Sequence, residues 1–363
     1  MENVLRLVEI GDKPYIKYAF PSETSFFSTE FMPREPNPAA GMYSFSISRI
    51  GQLWSLLQAA DLIICHPTFL SPWHWRWLSR ALFDRRALRG NIPIVRAFGP
   101  QILRLPTRAP VAVVDLEDQP FINRNNFFLL DRCKLFFKRE LPVDYWRLFT
   151  KTGHANLPTR RFRLLRKYQK RIDKIRPISI GTPLVRHQLL PYPSQPKTVD
   201  VFFAGQAERS STVRARGFEE LLALRNQGIT IDIADQVLPA PEFYERTARA
   251  WLVWSPEGLG WDCYRHYEAP ACGSVPVINR QNIERYRPLR HGEHAIYYDI
   301  EEGGLTAAIR EGLADKERLR VMAAAGKAHV LAYHTSQAVA SYVVSTTLGL
   351  EMSSLLSPSG FRT

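Results

Sequence analysis

The chain has 363 residues, of which 45% are hydrophobic and 23% charged, and its formal net charge is +13. This balance excludes disordered, collagen-like and coiled-coil proteins, and the length suits two domains of ordinary size. The charged first twenty residues lack the apolar core of a secretory leader, and no apolar run reaches about 18 residues. The sequence therefore predicts a cytoplasmic protein.

The positive charge is concentrated in the first half of the chain. Residues 1–185 contain 29 Lys and Arg against 15 Asp and Glu, whereas residues 186–363 contain 19 against 20. This polarity predicts an anionic partner for the first half alone. Nucleic acid, a membrane surface and a phosphorylated acceptor are all candidates.

The first half alternates short apolar runs with polar loops. A helix is predicted for Ser71–Arg89, because Ser71 suits the N-cap and Pro72 the first helical position. Strand–helix–strand order with apolar strands is typical of a parallel α/β sheet. The predicted strands are Leu62–Cys65, Ile92–Arg96, Val111–Val114 and Lys134–Lys138.

Three acidic residues, Asp115, Glu117 and Asp118, directly follow the strand predicted at Val111–Val114. Ligands of α/β proteins bind beyond the carboxyl ends of parallel strands, so one of these carboxylates is a candidate general base. A solvated acidic turn is the alternative interpretation.

A basic segment closes the first half. In Arg160–Arg176 apolar residues recur at spacings of three and four, and Lys or Arg fill most other positions. This spacing predicts an amphipathic basic helix. Such a helix either packs on the first domain as a solvated surface element or binds an anionic membrane.

Proline marks the expected domain boundary. Gly181–Pro196 contains four prolines and little periodicity, which predicts an interdomain linker over residues 186–199. The linker would join a basic N-terminal domain, residues 1–185, to a C-terminal domain, residues 200–350, with a tail at 351–363. Two α/β domains joined in this way would have a cleft between them.

The second half alternates strands and helices more regularly. Strands are predicted for Val201–Ala204, Ile229–Ile233, Trp251–Trp254 and Val275–Ile278. Helices are predicted for Val213–Arg225, Pro241–Ala250, Asp262–Cys272, Leu305–Leu313, Asp315–Ala325 and Ser336–Leu348.

One predicted strand of this half runs into a turn with Gly258 and Gly260 and then into the helix Asp262–Cys272. Exposed amides and the positive end of a helix bind anions. Arg265 can hold a phosphate with paired donors, and Glu268 can accept ribose hydroxyls. The segment therefore indicates a nucleotide-diphosphate site, whereas a helical ion pair between the two side chains is the alternative.

The same segment carries a family pattern. In order, it contains Pro256, Gly260, Asp262, Arg265, Glu268, Ala269, Gly273, Pro276 and Val277. This order resembles the C-terminal half-domain of GT-B glycosyltransferases, most closely the exostosin-like branch, and Phe203–Gly205 resembles the Phe–x–Gly strand end of that family. The resemblance covers roughly Val201–Asp299. It implies an α/β fold of GT-B type, with two Rossmann-like domains facing each other across a cleft.

In such enzymes the C-terminal domain binds the nucleotide-sugar donor and the N-terminal domain binds the acceptor. The resemblance implies that Arg214 and Arg265 contact the diphosphate and that Glu268 binds ribose or sugar hydroxyls. Gly258 and Gly260 would allow close backbone approach. The implied donor-binding set is Gly205, Arg214, Glu257, Gly258, Gly260, Asp262, Arg265 and Glu268.

Two features bear on the mechanism. Many retaining GT-B enzymes place two glutamates eight positions apart, whereas Glu257 and Glu268 are eleven apart, which favours an inverting enzyme. The chain also lacks the Asp-x-Asp pair that holds a divalent metal in GT-A enzymes, and it shows no metal-ligand spacing. The sequence therefore predicts a metal-independent reaction with no cofactor, in which the nucleotide sugar is a co-substrate.

An inverting transfer needs a group that takes the acceptor proton, and in a GT-B enzyme this group is expected from the N-terminal domain. Asp115 is the first candidate, since it is nearest to its strand, and Asp118 is the second. His66 and His154 are the alternative bases, because imidazole can serve the same role.

The predicted protein is a glycosyltransferase that uses a nucleotide-sugar donor and a glycan, lipid-linked or other hydroxyl acceptor. A role in polysaccharide biosynthesis and peripheral contact with the inner face of the membrane through residues 160–176 are expected, without binding of nucleic acid. Two alternatives stay open. The basic half could bind nucleic acid after all, or a GT-B scaffold could bind or isomerise nucleotide sugars without transfer.

Overall fold

The computed structural model describes residues 5–29, 37–45, 49–68, 99–123, 125–151, 163–164, 166–183, 189–205, 211–234 and 236–351. The chain divides into two compact units, the first comprising Met1–Ile178 and Ala340–Thr363 and the second Ser179–Val339. The predicted helix Ser71–Arg89 and strand Ile92–Arg96 lie outside the described residues.

The first unit is built on a parallel β-sheet with short helices. Its strands are β1 (Leu7–Gly11), β2 (Thr24–Ser28), β3 (Met42–Ser44), β4 (Leu62–Cys65), β5 (Val111–Asp115), β6 (Leu135–Lys138), β7 (Leu141–Pro142), β8 (Thr150–Lys151), β9 (Arg163–Leu164) and β10 (Ile175–Pro177). Its helices are α1 (Tyr15–Ala19), α2 (Ile50–Ala59), α3 (Phe127–Arg132) and α4 (Arg166–Gln169), and 3₁₀ turns span Pro38–Ala40, Gly99–Arg104, Tyr145–Phe149 and Ile172–Lys174.

Seven of these strands form the sheet, in the order β3-β2-β1-β4-β5-β6-β10, and every pair is parallel. A parallel sheet buried on both faces needs apolar side chains at successive positions. Strand β4 shows this, because all four residues of its Leu-Ile-Ile-Cys sequence are buried. The strands predicted at Leu62–Cys65, Val111–Val114 and Lys134–Lys138 are therefore confirmed.

The basic segment differs from its prediction. Instead of one helix over Arg160–Arg176, its described part contains β9, the single turn α4, a 3₁₀ turn and β10. Ile175 is buried and pairs with Phe136 of β6, so sheet pairing overrides the helical spacing of the apolar residues. Arg171 pairs with Asp131 at 2.9 Å, and Lys174 donates to the carbonyls of Leu130 and Cys133. Arg171 and Lys174 therefore bind to partners within the first unit.

The second unit is a second α/β layer structure. Its strands are β11 (Val199–Phe203), β12 (Ile231–Ile233), β13 (Ala250–Trp254), β14 (Val275–Asn279), β15 (Ile283–Glu284) and β16 (Ile296–Tyr298). Its helices are α5 (Thr212–Arg225), α6 (Ala240–Arg249), α7 (Tyr264–Ala271), α8 (Gly304–Leu313), α9 (Lys316–Tyr333) and the start of α10 (Ser336–Leu348).

Five strands form a parallel sheet in the order β12-β11-β13-β14-β16. All predicted elements of this half are found, with their ends displaced by a few residues. Helix α9 is longer than predicted, because Gly326 does not end it. A Cβ at Gly326 would lie 2.9 Å from the carbonyl oxygen of His294, so this glycine allows α9 to pack closely against the backbone of that residue.

The boundaries between the two units lie at residues 178/179 and 339/340, and not at the linker expected over residues 186–199. The described part of residues 186–199 lies within the second unit. There Lys197 Nζ donates to the carbonyls of Ala248, Ala250 and Gly273, so the segment is anchored to its neighbours. At the other end the chain from Ala340 belongs to the first unit, where the Tyr342 hydroxyl donates to the Pro177 carbonyl at 3.2 Å.

Candidate functional site

The two sheets each have one point where the chain order reverses. In the second sheet β11 lies between β12 and β13, so the connections from β11 and β13 diverge there. Ligands of open parallel sheets bind in the crevice beyond the carboxyl ends of such neighbours. The Ala204–Gly205 backbone follows β11, and the predicted glycine turn follows β13. The predicted donor residues are thus on the elements that flank this switch point.

The glycine turn is held by a reciprocal pair of hydrogen bonds. The Glu257 amide donates to Asn279 Oδ1, and Asn279 Nδ2 donates to Glu257 Oε2, each at 2.9 Å. Burial raises the pKa of Glu257, while the bond from Asn279 lowers it. The Gly258 amide donates to the Gly260 carbonyl at 2.9 Å. Glu257 and Gly260 therefore shape the turn, and Asn279 was not predicted from the sequence.

Arg214 reaches the turn from α5. Its Nε donates to the Glu257 carbonyl at 2.7 Å. A Cβ at Gly258 would lie 3.0 Å from Arg214 Nη2, so the absence of a side chain there lets the guanidinium approach the backbone. The helix that carries Arg214 begins at an N-cap, Ser211, whose hydroxyl accepts from the Arg214 amide.

Arg265 lies in the first turn of α7 and reaches the end of β11. Its Nη2 donates to the Ala204 carbonyl at 2.5 Å, and its guanidinium lies 5.5 Å from the Phe203 ring centroid. Nε and Nη1 are buried, and within the described chain neither has a hydrogen-bond partner. Burial and the charge of Arg214 both lower the pKa of Arg265. A buried cation with two unused donors, close to a second cation, is a strong anion-binding arrangement.

Gly205 belongs to the same arrangement, because a Cβ there would lie 3.0 Å from Arg265 Nη2. Glu268, one helical turn further along α7, is 4% exposed and accepts a hydrogen bond from the Tyr244 hydroxyl at 2.9 Å. No motif in the sequence marks Tyr244, which comes from α6.

Asp262 lies directly before α7 and is buried. It is 1% exposed, and its carboxylate accepts from the Ile180 amide at 2.8 Å and the Tyr267 hydroxyl at 2.7 Å. The N-cap residue of α7 is Cys263. Asp262 therefore anchors the start of the helix, and a contact with donor stays a prediction.

The acidic turn of the first unit is already engaged with cations. Asp115 is 3% exposed, lies 3.1 Å from Lys138 Nζ and accepts from the Glu117 amide. Asp118 bonds to Arg139 at 2.6 Å. Burial, reinforced by the charges of Asp115 and Asp12, raises the pKa of Glu117 to about 7.

Other predicted features are only partly visible. His154 lies outside the described residues. Within the described ranges no helix is long and apolar enough to span a membrane. In the same part of the chain, no three His, Cys, Asp or Glu side chains form a group that could hold a metal ion.

Comparison with known proteins agrees with this architecture. Residues 240–345 match the family described as Glycosyl transferase-like. No curated protein matches the chain in sequence.

Several solved structures share the fold at low sequence identity. Sucrose-phosphate synthase from Thermosynechococcus elongatus is 12% identical with a TM-score of 0.52, and the match covers 94% of this chain and 98% of that one. A UDP-forming α,α-trehalose-phosphate synthase from Burkholderia xenovorans is 10% identical with a TM-score of 0.54, covering 95% and 99%. Anabaena Alr3699/HepE, solved in complex with UDP, is 12% identical with a TM-score of 0.52, covering 95% and 100%.

The predicted fold class is thereby confirmed: the protein has the GT-B fold of glycosyltransferases, with a parallel Rossmann-like sheet in each unit. The family match agrees with the predicted class of enzyme. The exostosin-like branch stays a prediction.

Proposed function

We propose that the protein transfers a sugar from a nucleoside-diphosphate donor to a hydroxyl acceptor. The observation that carries this proposal is the buried Arg265 guanidinium, whose Nε and Nη1 have no partner among the described side chains and backbone. It lies beside Arg214 at the switch point of the second sheet, and a diphosphate would satisfy both donors. The UDP bound by Anabaena HepE, a protein of the same fold, supports a diphosphate ligand.

The proposed chemistry is an inverting displacement. The acceptor oxygen attacks the anomeric carbon, the bond from that carbon to the diphosphate oxygen breaks, and the acceptor proton passes to a base. Arg214, Arg265 and the amides at the start of α7 stabilise the negative charge that develops on the leaving diphosphate. Asp115 and Asp118 stay the sequence-predicted candidates for the base.

The acceptor is proposed to be a glycan or a lipid-linked glycan, handled at the cytoplasmic face of a membrane. The described part of residues 160–176 does not form one amphipathic helix. Membrane contact is instead supported by the excess positive charge of the first half and by the exposed residues Arg166, Lys167 and Lys170.

Glu268 is proposed to bind donor hydroxyls in the orientation set by Tyr244. Glu268→Ala should lower kcat/KM by an amount equivalent to about 2 kcal/mol or more, because a charged hydrogen-bond acceptor is lost. Tyr244→Phe removes only the hydroxyl and should cost about 1 kcal/mol. Steady-state kinetics with the wild type measure both effects, and Glu268→Gln controls for side-chain volume. Unchanged donor affinity in Glu268→Ala would refute the assignment.

Metal independence gives a second prediction. Since arginines and helix amides hold the diphosphate in this scheme, transfer should continue at an undiminished rate in excess EDTA. The assay compares rates before and after chelation and after addition of Mg²⁺ or Mn²⁺. Loss of activity on chelation that either ion restores would contradict the scheme.

The proposed function is tested by a thermal-shift screen across UDP-, GDP-, TDP-, CMP- and ADP-sugars, followed by NMR of donor turnover. We expect one donor class to stabilise the protein and the transferred sugar to have the opposite anomeric configuration. Stabilisation without turnover in the presence of glycan acceptors would favour a scaffold that binds but does not transfer. Retained configuration would overturn the inverting scheme.

A further inference from the structure

Strand β1, an interior strand of the first sheet, contains a buried carboxylate. Glu9 lies in β1 between apolar neighbours and is 0% exposed. Its Oε1 accepts from the Ile16 amide at 2.8 Å, and its Oε2 accepts from the Lys17 amide at 2.9 Å. An ionised carboxylate inside a sheet is costly unless it has such partners, so its position is closely determined.

The third partner of Glu9 is a histidine. His66 follows β4, its amide donates to the Ile10 carbonyl at 2.9 Å, and its Nε2 lies 2.8 Å from Glu9 Oε1. The ring also packs on Gly11, where a Cβ would lie 2.4 Å from His66 Cδ2. The strand end therefore accommodates the imidazole only because residue 11 is glycine.

This arrangement orients the imidazole for proton transfer. With Nε2–H donating to Glu9, the lone pair is on Nδ1, and in the described part of the chain Nδ1 has no hydrogen-bond partner. The pairing of a base with an orienting carboxylate is the arrangement of general-base catalysis in many enzymes.

The dyad also lies at a functional position of the sheet. Strands β1 and β4 are the neighbours between which the chain order of the first sheet reverses, and Gly11 and His66 are at their carboxyl ends. Asp115, on the neighbouring strand β5, is instead paired with Lys138. That carboxylate lies 3.1 Å from Lys138 Nζ, so it is already engaged in an ion pair.

We propose that His66, oriented by Glu9, is the proton acceptor of the first unit. This inference rests on the proposed glycosyl transfer. As the acceptor oxygen bonds to the anomeric carbon and the diphosphate departs with the electrons of the broken bond, Nδ1 takes the proton of the acceptor hydroxyl. His66 then carries one positive charge beside Glu9 and releases the proton to water before the next turnover.

The charges around His66 define its pH dependence. Burial lowers the pKa of His66, whereas the hydrogen bond to Glu9 and the charges of Glu9, Asp12 and Asp115 raise it, and the net direction is upward. A base must be neutral to act, so kcat should fall as the pH drops through this raised pKa. Removal of the Glu9 charge lowers the pKa, and the acid limb of the profile should then move to lower pH.

The test compares His66→Gln and Glu9→Gln with the wild type in donor affinity, kcat and pH profile. His66→Gln should lower kcat by a factor of about 10²–10⁴ and abolish the acid limb, with affinity for the nucleoside diphosphate unchanged. Glu9→Gln should lower kcat less and move the acid limb to lower pH. His291→Gln, the same change at an exposed histidine, should change neither kcat nor the acid limb.

Each result has a defined meaning. Normal kcat with an unchanged acid limb in His66→Gln overturns the inference, and so does a Glu9→Gln profile that does not move. If Glu9→Gln fails to fold, as thermal unfolding would show, the His66→Gln profile decides alone. Failure of the wild type to bind any nucleoside diphosphate would instead refute the proposed function, and NMR titration of the His66 imidazole in the wild type would still measure whether the dyad raises its pKa.

Discussion

Arg265→Met should weaken the binding of a nucleoside diphosphate by about 100-fold, because hydrogen bonds to a charged group contribute about 1.5–3 kcal/mol each. The ligand-free protein should lose little or no stability. The substitution removes a buried cation whose Nε and Nη1 have no partner in the described structure, and this gain offsets the lost bond to the Ala204 carbonyl.

Calorimetric titration measures the affinity, and thermal unfolding without ligand measures the stability. Arg216→Met is the matched control, since Arg216 is exposed on α5, the helix that carries Arg214. It should change neither quantity. If Arg265→Met lowers the free energy of unfolding by as much as it lowers the free energy of ligand binding, Arg265 is a structural residue and its role in anion binding is refuted.

Gly217→Ala should reduce the free energy of unfolding by about 3 kcal/mol, the upper part of the usual range for an overpacked core. A Cβ at this position of α5 would lie 2.2 Å from Cζ2 and 2.7 Å from Cη2 of Trp254. Trp254 is 0% exposed, and its Nε1 donates to the Tyr298 hydroxyl at 3.0 Å, so the ring cannot move aside without breaking that bond. The steric cost outweighs the helix propensity that alanine adds.

Urea denaturation followed by fluorescence measures the change. Gly51→Ala in α2 is the control, because a Cβ there has no neighbour within 4 Å. Alanine at this helical position should stabilise the protein by up to about 1 kcal/mol. If the two alanine variants have the same free energy of unfolding, the result contradicts the close packing of α5 on Trp254.

The fold of the second unit could be read from the sequence because its strands are buried on both faces. Val275–Asn279 and Ala250–Trp254 are nearly continuous apolar runs, and such runs between helical segments are a clear signal. The basic segment shows the limit of the same reasoning. Ile172 and Ile175 have helical spacing, yet pairing with β6 and the proline at 177 make the end of that segment a strand.

Candidate site residues could be proposed from the sequence where one short segment contains them. The turn at Gly258 and the helix with Arg265 and Glu268 are contiguous, so spacing and family resemblance identified them together. Tyr244 and Glu268 are 24 positions apart, and Glu9 and His66 are 57 apart. Pairs of this kind have no periodicity, and only the packing of separate elements brings them together.

Calorimetric titration of the wild-type protein with UDP, GDP, ADP and TDP, each paired with its own nucleoside, tests the proposed donor site most directly. Because Arg214 and Arg265 are proposed to bind the diphosphate, at least one nucleoside diphosphate should bind, and its nucleoside should bind at least about tenfold more weakly. Binding of a nucleoside as tight as that of its diphosphate, or no binding of any of the four diphosphates, would contradict the proposed donor site.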